Sequence, residues 1–305
     1  MPTRRQFLTA ALATAGLPVL RPVVGWAQTA AAEIRTRAIP ATGENLPVVG
    51  MGTSGSFQVS PGSEAYRRLP KVLSLFFEGG GRCIDTAPTY GNAEDVLGDL
   101  LTADQRGLVF LATKLSRVNG RDEGRAQFAD TLKRLKMNKV DLLQVHNLGD
   151  WRTQIRVARE LKEEGKIRYV GFTHYVDGAQ DELADVIEME KPDFLQINHS
   201  VVSTKAEERL FPIAEEHGIA VLTNRNFDDG RVFDKVRDKP LPGWAPEVGA
   251  NSWAQLFLKY SLSHPAVTAV IPATGKPKHQ ADNMQAGYGP LLDAAQRREL
   301  VEAVA

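Results

Sequence analysis

Between residues 48 and 272 the chain alternates short apolar runs, rich in Val, Ile and Leu, with longer stretches whose apolar residues recur at helical spacing. That alternation calls for parallel strands, because each long stretch must cross back before the next run can pair with the last. The runs fall at 48–53, 83–87, 109–114, 140–146, 167–173, 194–198, 220–223 and 267–272. Eight such units close into a (β/α)8 barrel, an α/β fold of one domain. An open doubly wound sheet is the competing arrangement, and it would show a glycine-rich phosphate loop after its first strand. The glycine cluster Gly79-Gly80-Gly81 instead follows a predicted helix and precedes a strand, so it reads as a helix stop. Helices are predicted over 63–78, 92–101, 122–135, 151–164, 179–190, 205–216, 252–262, near His279 and over 291–304, with a long excursion at 224–250. A strand–turn–strand pattern at 33–49, turning through Pro40-Ala41-Thr42-Gly43, predicts a β-hairpin ahead of the barrel.

The chain carries 37 basic and 37 acidic side chains, and this neutrality offers no footprint for nucleic acid or an anionic membrane. The start of the chain is different in kind. Thr3-Arg4-Arg5-Gln6-Phe7-Leu8 precedes a mild apolar run to Leu20 and then Gly25-Trp26-Ala27, the layout of a secretory signal. The paired arginines followed by Phe-Leu resemble the twin-arginine signal, which carries folded proteins across the bacterial inner membrane. The apolar run is too short for a membrane anchor and is broken by Pro18 and Arg21, so no stable membrane insertion is expected. Residues 1–27 are therefore expected to be a cleaved signal read by the twin-arginine export machinery, leaving 28–305 as a periplasmic barrel. Cys83 is the only cysteine, which removes any internal disulfide, and at the start of an apolar run it reads as a small core residue.

In parallel α/β folds functional groups gather at the C-terminal ends of strands. Three successive runs end in residues that are costly to bury alone: Asp85, Lys114 and His146, with Tyr90 in the loop just after Asp85. Singly, each has an ordinary reading as a turn cap, a snorkelling lysine or a core histidine. Their succession on neighbouring strands points to one site. Asp85 would hold the Lys114 ammonium, whose charge would favour ionisation of the Tyr90 phenol, while His146 would orient a carbonyl oxygen.

Asp85-Thr86-Ala87 with Tyr90-Gly91, Lys114 and His146, in this order, resembles the catalytic tetrad of the aldo-keto reductases. The likeness continues through Gly165-Lys166-Ile167-Arg168-Tyr169-Val170-Gly171, Gln196-Ile197-Asn198 and Val270-Ile271-Pro272 to Asp282-Asn283. It implies an oxidoreductase that takes an aldehyde or ketone to an alcohol without a metal, Tyr90 giving the proton and a nicotinamide nucleotide across the barrel mouth giving hydride. It also implies cofactor roles for Thr53, for Gln196 with Thr173 and His174 at the usual Ser-Asn position, and for Asn224 where an aromatic ring commonly stacks. Arg225 would lie over the ring, reach a phosphate, or pair with Asp228 or Asp229. Thr274, Lys276, Lys278, His279 and Asn283 would meet the adenosine end, favouring NADP(H) over NAD(H). Phe57, Trp151 and Trp244 are the expected pocket aromatics, and the lack of a long loop after the closing helix implies a wide pocket. A different reading keeps the barrel and the nucleotide but makes the protein an exported redox-sensing or partner-binding subunit with little turnover.

Overall fold

A computed structural model describes residues 33–305, and the twin-arginine stretch and its cleavage position lie outside the described residues. The chain opens with β1 (Thr36–Ala38) and β2 (Asn45–Pro47), an antiparallel pair. The barrel follows as β3 (Met51–Gly52), α1 (Glu64–Glu78), β4 (Cys83–Asp85), α2 (Ala93–Leu100), α3 (Ala103–Leu108), β5 (Phe110–Leu115) and α4 (Gly120–Leu135). It continues as β6 (Leu142–His146), α5 (Trp151–Glu163), β7 (Tyr169–Thr173), α6 (Gln180–Glu190), β8 (Phe194–Asn198), α7 (Leu210–His217) and β9 (Ala220–Asn224). The last elements are α8 (Trp253–Leu262), β10 (Val267–Val270), α9 (Pro277–Gln285) and α10 (Ala294–Val304). Among the described residues, β3 to β10 form one sheet of eight parallel strands in sequence order. Isolated bridges, Val49 to Val270 and Gly52 to Ala273, join its two ends. This is the (β/α)8 barrel that the alternation predicts.

The first strand is more irregular than its apolar run suggests. Gly50 and Gly52 are there because a Cβ would come within 2.9 Å of the Cys83 and Ile271 carbonyl oxygens, respectively. Two other boundaries differ from the sequence reading. The helix predicted over 205–216 is in two pieces, a short 3-10 turn at Lys205–Glu207 and α7, with Pro212 in the first turn of α7 where its missing N–H costs nothing. The helix α3 was hidden in what reads as a connection, although Thr102 and Gln105 form a reciprocal capping box that announces it.

Alternate residues along each strand face opposite sides of the wall, and the two sides form separate apolar clusters. Leu111, Leu143, Val145, Phe172, Leu195 and Val221 pack outward against the helices. Facing inward, Phe110, Tyr169 and Phe194 stack in a mutual triangle with ring centroids 5.3 to 5.8 Å apart. Ile39 and Leu46 from the hairpin join this inner cluster, so β1 and β2 close the end where the strands begin. Each fully buried aromatic ring of this floor contributes about 1.5–3 kcal/mol. Following the inward positions toward the strands' C-terminal ends, the residues become polar: Phe110, Ala112, Lys114; Leu142, Gln144, His146; Tyr169, Gly171, Thr173. Register keeps these layers level, with Lys114 opposite Gln144 and His146 opposite Thr173.

Gly171 sits in the middle layer because a Cβ would stand 2.9 Å from the Phe194 carbonyl oxygen and 3.2 Å from Gln144 Cγ. The substitution Gly171→Ala should cost about 1–3 kcal/mol, by overpacking against a rigid neighbouring strand. Urea unfolding checks this: a lowered midpoint at unchanged slope is the expected result, and an unchanged midpoint would contradict it.

Candidate active site

A cavity of about 1420 Å3 lies at the C-terminal ends of the strands. At its base Lys114, fully buried, donates to Asp85 Oδ2 at 2.6 Å and to the Thr86 carbonyl at 2.8 Å. The other carboxylate oxygen, Asp85 Oδ1, accepts from Gln196 Nε2 at 2.7 Å and Gln144 Nε2 at 3.1 Å. Thr53 donates to the Asp85 carbonyl through both its amide and its hydroxyl, 3.0 Å each, fixing the turn above β4. Tyr90 lies over this pair, with the Lys114 ammonium 5.0 Å from its ring centroid. The His146 ring meets Tyr90 edge-on at 6.3 Å between centroids, and its Nδ1 is held by Ser116 Oγ at 2.7 Å.

Charge and burial work against each other here. Burial by itself would lower the Lys114 pKa, but Asp85 and Tyr90 more than offset it, so the pKa is raised and the ammonium stays charged. Burial pushes the Tyr90 phenol above its ordinary value; the Lys114 charge opposes this, and Asp85 adds to the rise. Lys114 does favour the phenolate, as the sequence reading has it, but desolvation outweighs the ammonium and the phenol's pKa stays raised. Burial, with the charges of Lys114, His174 and Arg117, holds His146 down to about 3.

The cavity wall includes Thr53, Asp85, Tyr90, His146, Thr173, Gln196, Asn224, Arg225, Thr274, His279 and Asn283. Thr173 donates to Gln196 Oε1 at 3.0 Å, and Asn224 reaches the same oxygen at 3.3 Å. Asn224 Oδ1 is buried without a hydrogen-bond partner among the described residues, an acceptor suited to an amide N–H. Arg225 pairs with Asp229 and lies 5.0 Å from the Tyr175 ring centroid. Across the mouth, α9 begins at Pro277 with Lys278 and His279 in its first turn, and its free N–H groups suit an anionic group. These features fit a nicotinamide dinucleotide: an orphan acceptor for the carboxamide at one end and a cationic helix start for phosphate at the other.

Five expected site residues are corrected. Phe57 is fully buried in the strand–helix core, because the loop after β3 coils back through its amide onto the Thr53 carbonyl and turns the ring under. Trp151 starts α5 and packs edge-on against Phe172, 6.3 Å away, in the same core. His174 has its Nδ1 taken by the Val176 amide and its ring stacked on Tyr175, so Tyr175 is the residue that faces the cavity. Lys276 caps α9 from outside the cavity wall, which Lys278 lines instead. Trp244 likewise packs away, its indole N–H donating to Glu299. The aromatic wall is Tyr175, Phe227, Phe233 and Trp253, three of which follow β9. The length of the excursion after that strand was the signal for them. Sequence reasoning also passed over Gln144, Ser116 and Arg117, the last on the wall beside His146. Among the described residues no cluster of His, Cys, Asp and Glu is placed to hold a metal, and no helix is long and apolar enough to cross a membrane.

This barrel with its rim of Asp, Tyr, Lys and His is that of a nicotinamide-dependent carbonyl oxidoreductase. The Aldo/keto reductase family model matches residues 48–305, and the chain belongs to that family, whose members are oxidoreductases acting on carbonyls with NAD(P). It is similar to the uncharacterized oxidoreductase YqkF of Bacillus subtilis (strain 168), 26% identical across 85% of this chain and 93% of that one. It is also similar to the NADH-specific methylglyoxal reductase of Escherichia coli (strain K12), 26% identical across 54% of this chain and 58% of that enzyme. Among solved structures, the aldo-keto reductase from Klebsiella pneumoniae in complex with NADPH superposes with a TM-score of 0.75 at 22% identity. That match covers 89% of this chain and 94% of the other.

An unfolded histidine titrates near pH 6.5, so between there and about 3 the folded protein binds fewer protons at His146 than the unfolded chain. The stability tied to neutral His146 is complete above about pH 6.5 and is lost as pH falls toward 3. In 15N-resolved NMR, His146 should remain a neutral imidazole at pH 5; a ring titrating near 6.5 would refute this.

Proposed function

We propose that the protein reduces an aldehyde or ketone to the corresponding alcohol, with Tyr90 as proton donor. The observation that carries the reading is the meeting of Tyr90 and His146 over the buried Lys114–Asp85 pair, in one cavity large enough for both nucleotide and substrate. NADPH or NADH, when bound, supplies a hydride, the two electrons that saturate the carbonyl carbon. The phenol of Tyr90 gives its proton to the carbonyl oxygen as the π bond breaks, and a proton from solvent restores it afterwards. Lys114 steadies negative charge that gathers on the phenol oxygen, and Asp85 keeps Lys114 charged and in place. With Ser116 donating to Nδ1, neutral His146 presents its Nε2–H to the substrate oxygen, aligning it with the phenol. Thr173, Gln196 and Asn224 would hold the carboxamide, with Thr274, Lys278, His279 and Asn283 at the adenosine end. The Lys278 ammonium, beside the free N–H groups of the first turn of α9, favours NADP(H) over NAD(H).

Replacing Tyr90 by Phe should lower kcat by a factor of about 100 to 10,000 while nucleotide affinity stays near wild type. Stopped-flow reduction of a simple aldehyde and nucleotide titration by fluorescence read the two. Near-normal turnover in Tyr90→Phe would sink the assignment, and a wild-type protein that binds nucleotide but reduces nothing would favour the sensing-subunit alternative.

We also propose that residues 1–27 direct the folded barrel to the periplasm. Nicotinamide nucleotides are expected to be scarce there, so the cofactor would be loaded before export and held through turnover. Protein recovered from the periplasm should carry about one nucleotide per chain by mass spectrometry of the denatured extract, and replacing Arg4 and Arg5 by Lys should keep the protein inside. Empty periplasmic protein would defeat the loading idea, and unchanged location in the lysine variant would defeat the export signal.

A further inference from the structure

Most charges on the cavity wall are already spoken for. Asp85 holds Lys114, Asp229 holds Arg225, and Asp282 accepts from Ser252 at 2.7 Å and Gln255 at 2.6 Å. Among the described residues, the two wall cations without an acidic partner are Lys278 and Arg117. Lys278 sits where a nucleotide phosphate is expected. Arg117 does not: it follows β5, and in a closed ring of eight strands β5 stands directly across the axis from β9, and β6 across from β10. The residues suited to the nucleotide's adenosine end follow β10. Arg117 therefore faces the residues that follow β9 and lies three strands round the ring from the adenosine end, next in sequence to the Ser116 that holds His146. Its backbone is left-handed, with φ of 55°, a conformation that few non-glycine residues adopt and that often marks a functional position.

We propose that Arg117 selects the substrate by its charge, holding a carboxylate or similar anionic substituent while the carbonyl lies between Tyr90 and His146. This rests on the carbonyl-reductase reading above. A guanidinium offers a planar fork of N–H donors that matches a carboxylate in two hydrogen bonds, and an unpartnered one beside the reacting groups leaves a positive field on that wall. Because Arg117 is exposed at the rim, the selection is strongest at low ionic strength.

The test compares 4-carboxybenzaldehyde with methyl 4-formylbenzoate, which share ring and aldehyde and differ in charge. In wild-type protein the kcat/KM ratio of acid to ester should be on the order of ten at low salt and fall as salt is added. Arg117→Gln should bring the ratio near one, chiefly through KM, and Arg117→Lys should restore part of it. A wild-type ratio near or below one, or a ratio that survives Arg117→Gln, overturns the proposal. Benzoate binding, followed by tryptophan fluorescence since Trp253 lines the cavity, gives a readout independent of turnover. Arg117-dependent binding without reduction of either aldehyde would condemn the reductase reading while keeping the anion site; binding equal in wild type and Arg117→Gln would remove the site itself.

Discussion

The buried ion pair of Lys114 and Asp85 is the constraint around which the upper half of the barrel is built. Two charges taken out of water cost several kcal/mol each, and a bare pair does not recover that. Here further hydrogen bonds offset the cost: the ammonium has the Thr86 carbonyl, and the second carboxylate oxygen has two carboxamides, Gln144 from β6 and Gln196 from β8. Those side chains cross the barrel interior, and Gly171 on the strand between them leaves the room to do so. Gln196 in turn fixes Thr173 and Asn224 through its carbonyl oxygen, so a chain of hydrogen bonds runs from the acid under Tyr90 to the orphan acceptor on the opposite wall. Loosening any member would leave a buried charge under-solvated, which is why geometry here is stiff.

The same interior is apolar at one end and polar at the other, and that gradient does two jobs. The ring triangle of Phe110, Tyr169 and Phe194 supplies hydrophobic stabilisation far from the chemistry. Further along the same strands, at Lys114, Thr173 and Gln196, the low-dielectric surroundings remain but the groups are charged or hydrogen bonding, so their fields are strong. Burial sets the direction of two titrations in the site: it holds His146 neutral and keeps the phenol protonated, the states in which both can donate.

Much of this was legible in the sequence for a physical reason. A fully parallel barrel buries both faces of its strands, so the runs are apolar enough to count, and residues that break the run at its end are conspicuous. Asp85, Lys114 and His146 could be found that way. Gln144 could not: it lies inside a run, and only the alternation of inward and outward positions tells that it shares a face with His146. Phe57 and Trp151 misled because an aromatic residue near a strand end looks the same whether its loop opens outward or coils back. The wall aromatics Phe227 and Phe233 come from a segment whose backbone, left-handed at Asp228, Asp229 and Gly230, follows no period that a sequence pattern reveals.

The hairpin that floors the barrel gains its partners from the far end of the chain. Arg37 donates to the carbonyls of Leu262, His264 and Val267, and Arg35 to that of Gly289, groups between 225 and 254 positions later in sequence. During synthesis Arg37 and Arg35 lack these carbonyls until the eighth barrel strand and the segment after it have emerged, so the hairpin's seating is completed late. A chain cut short anywhere before β10 would leave Ile39, Leu46 and the ring triangle open to water. Completion of the polypeptide and closure of the barrel are thus bound into one late event, which separates a finished molecule from an unfinished one by whether its apolar floor is covered.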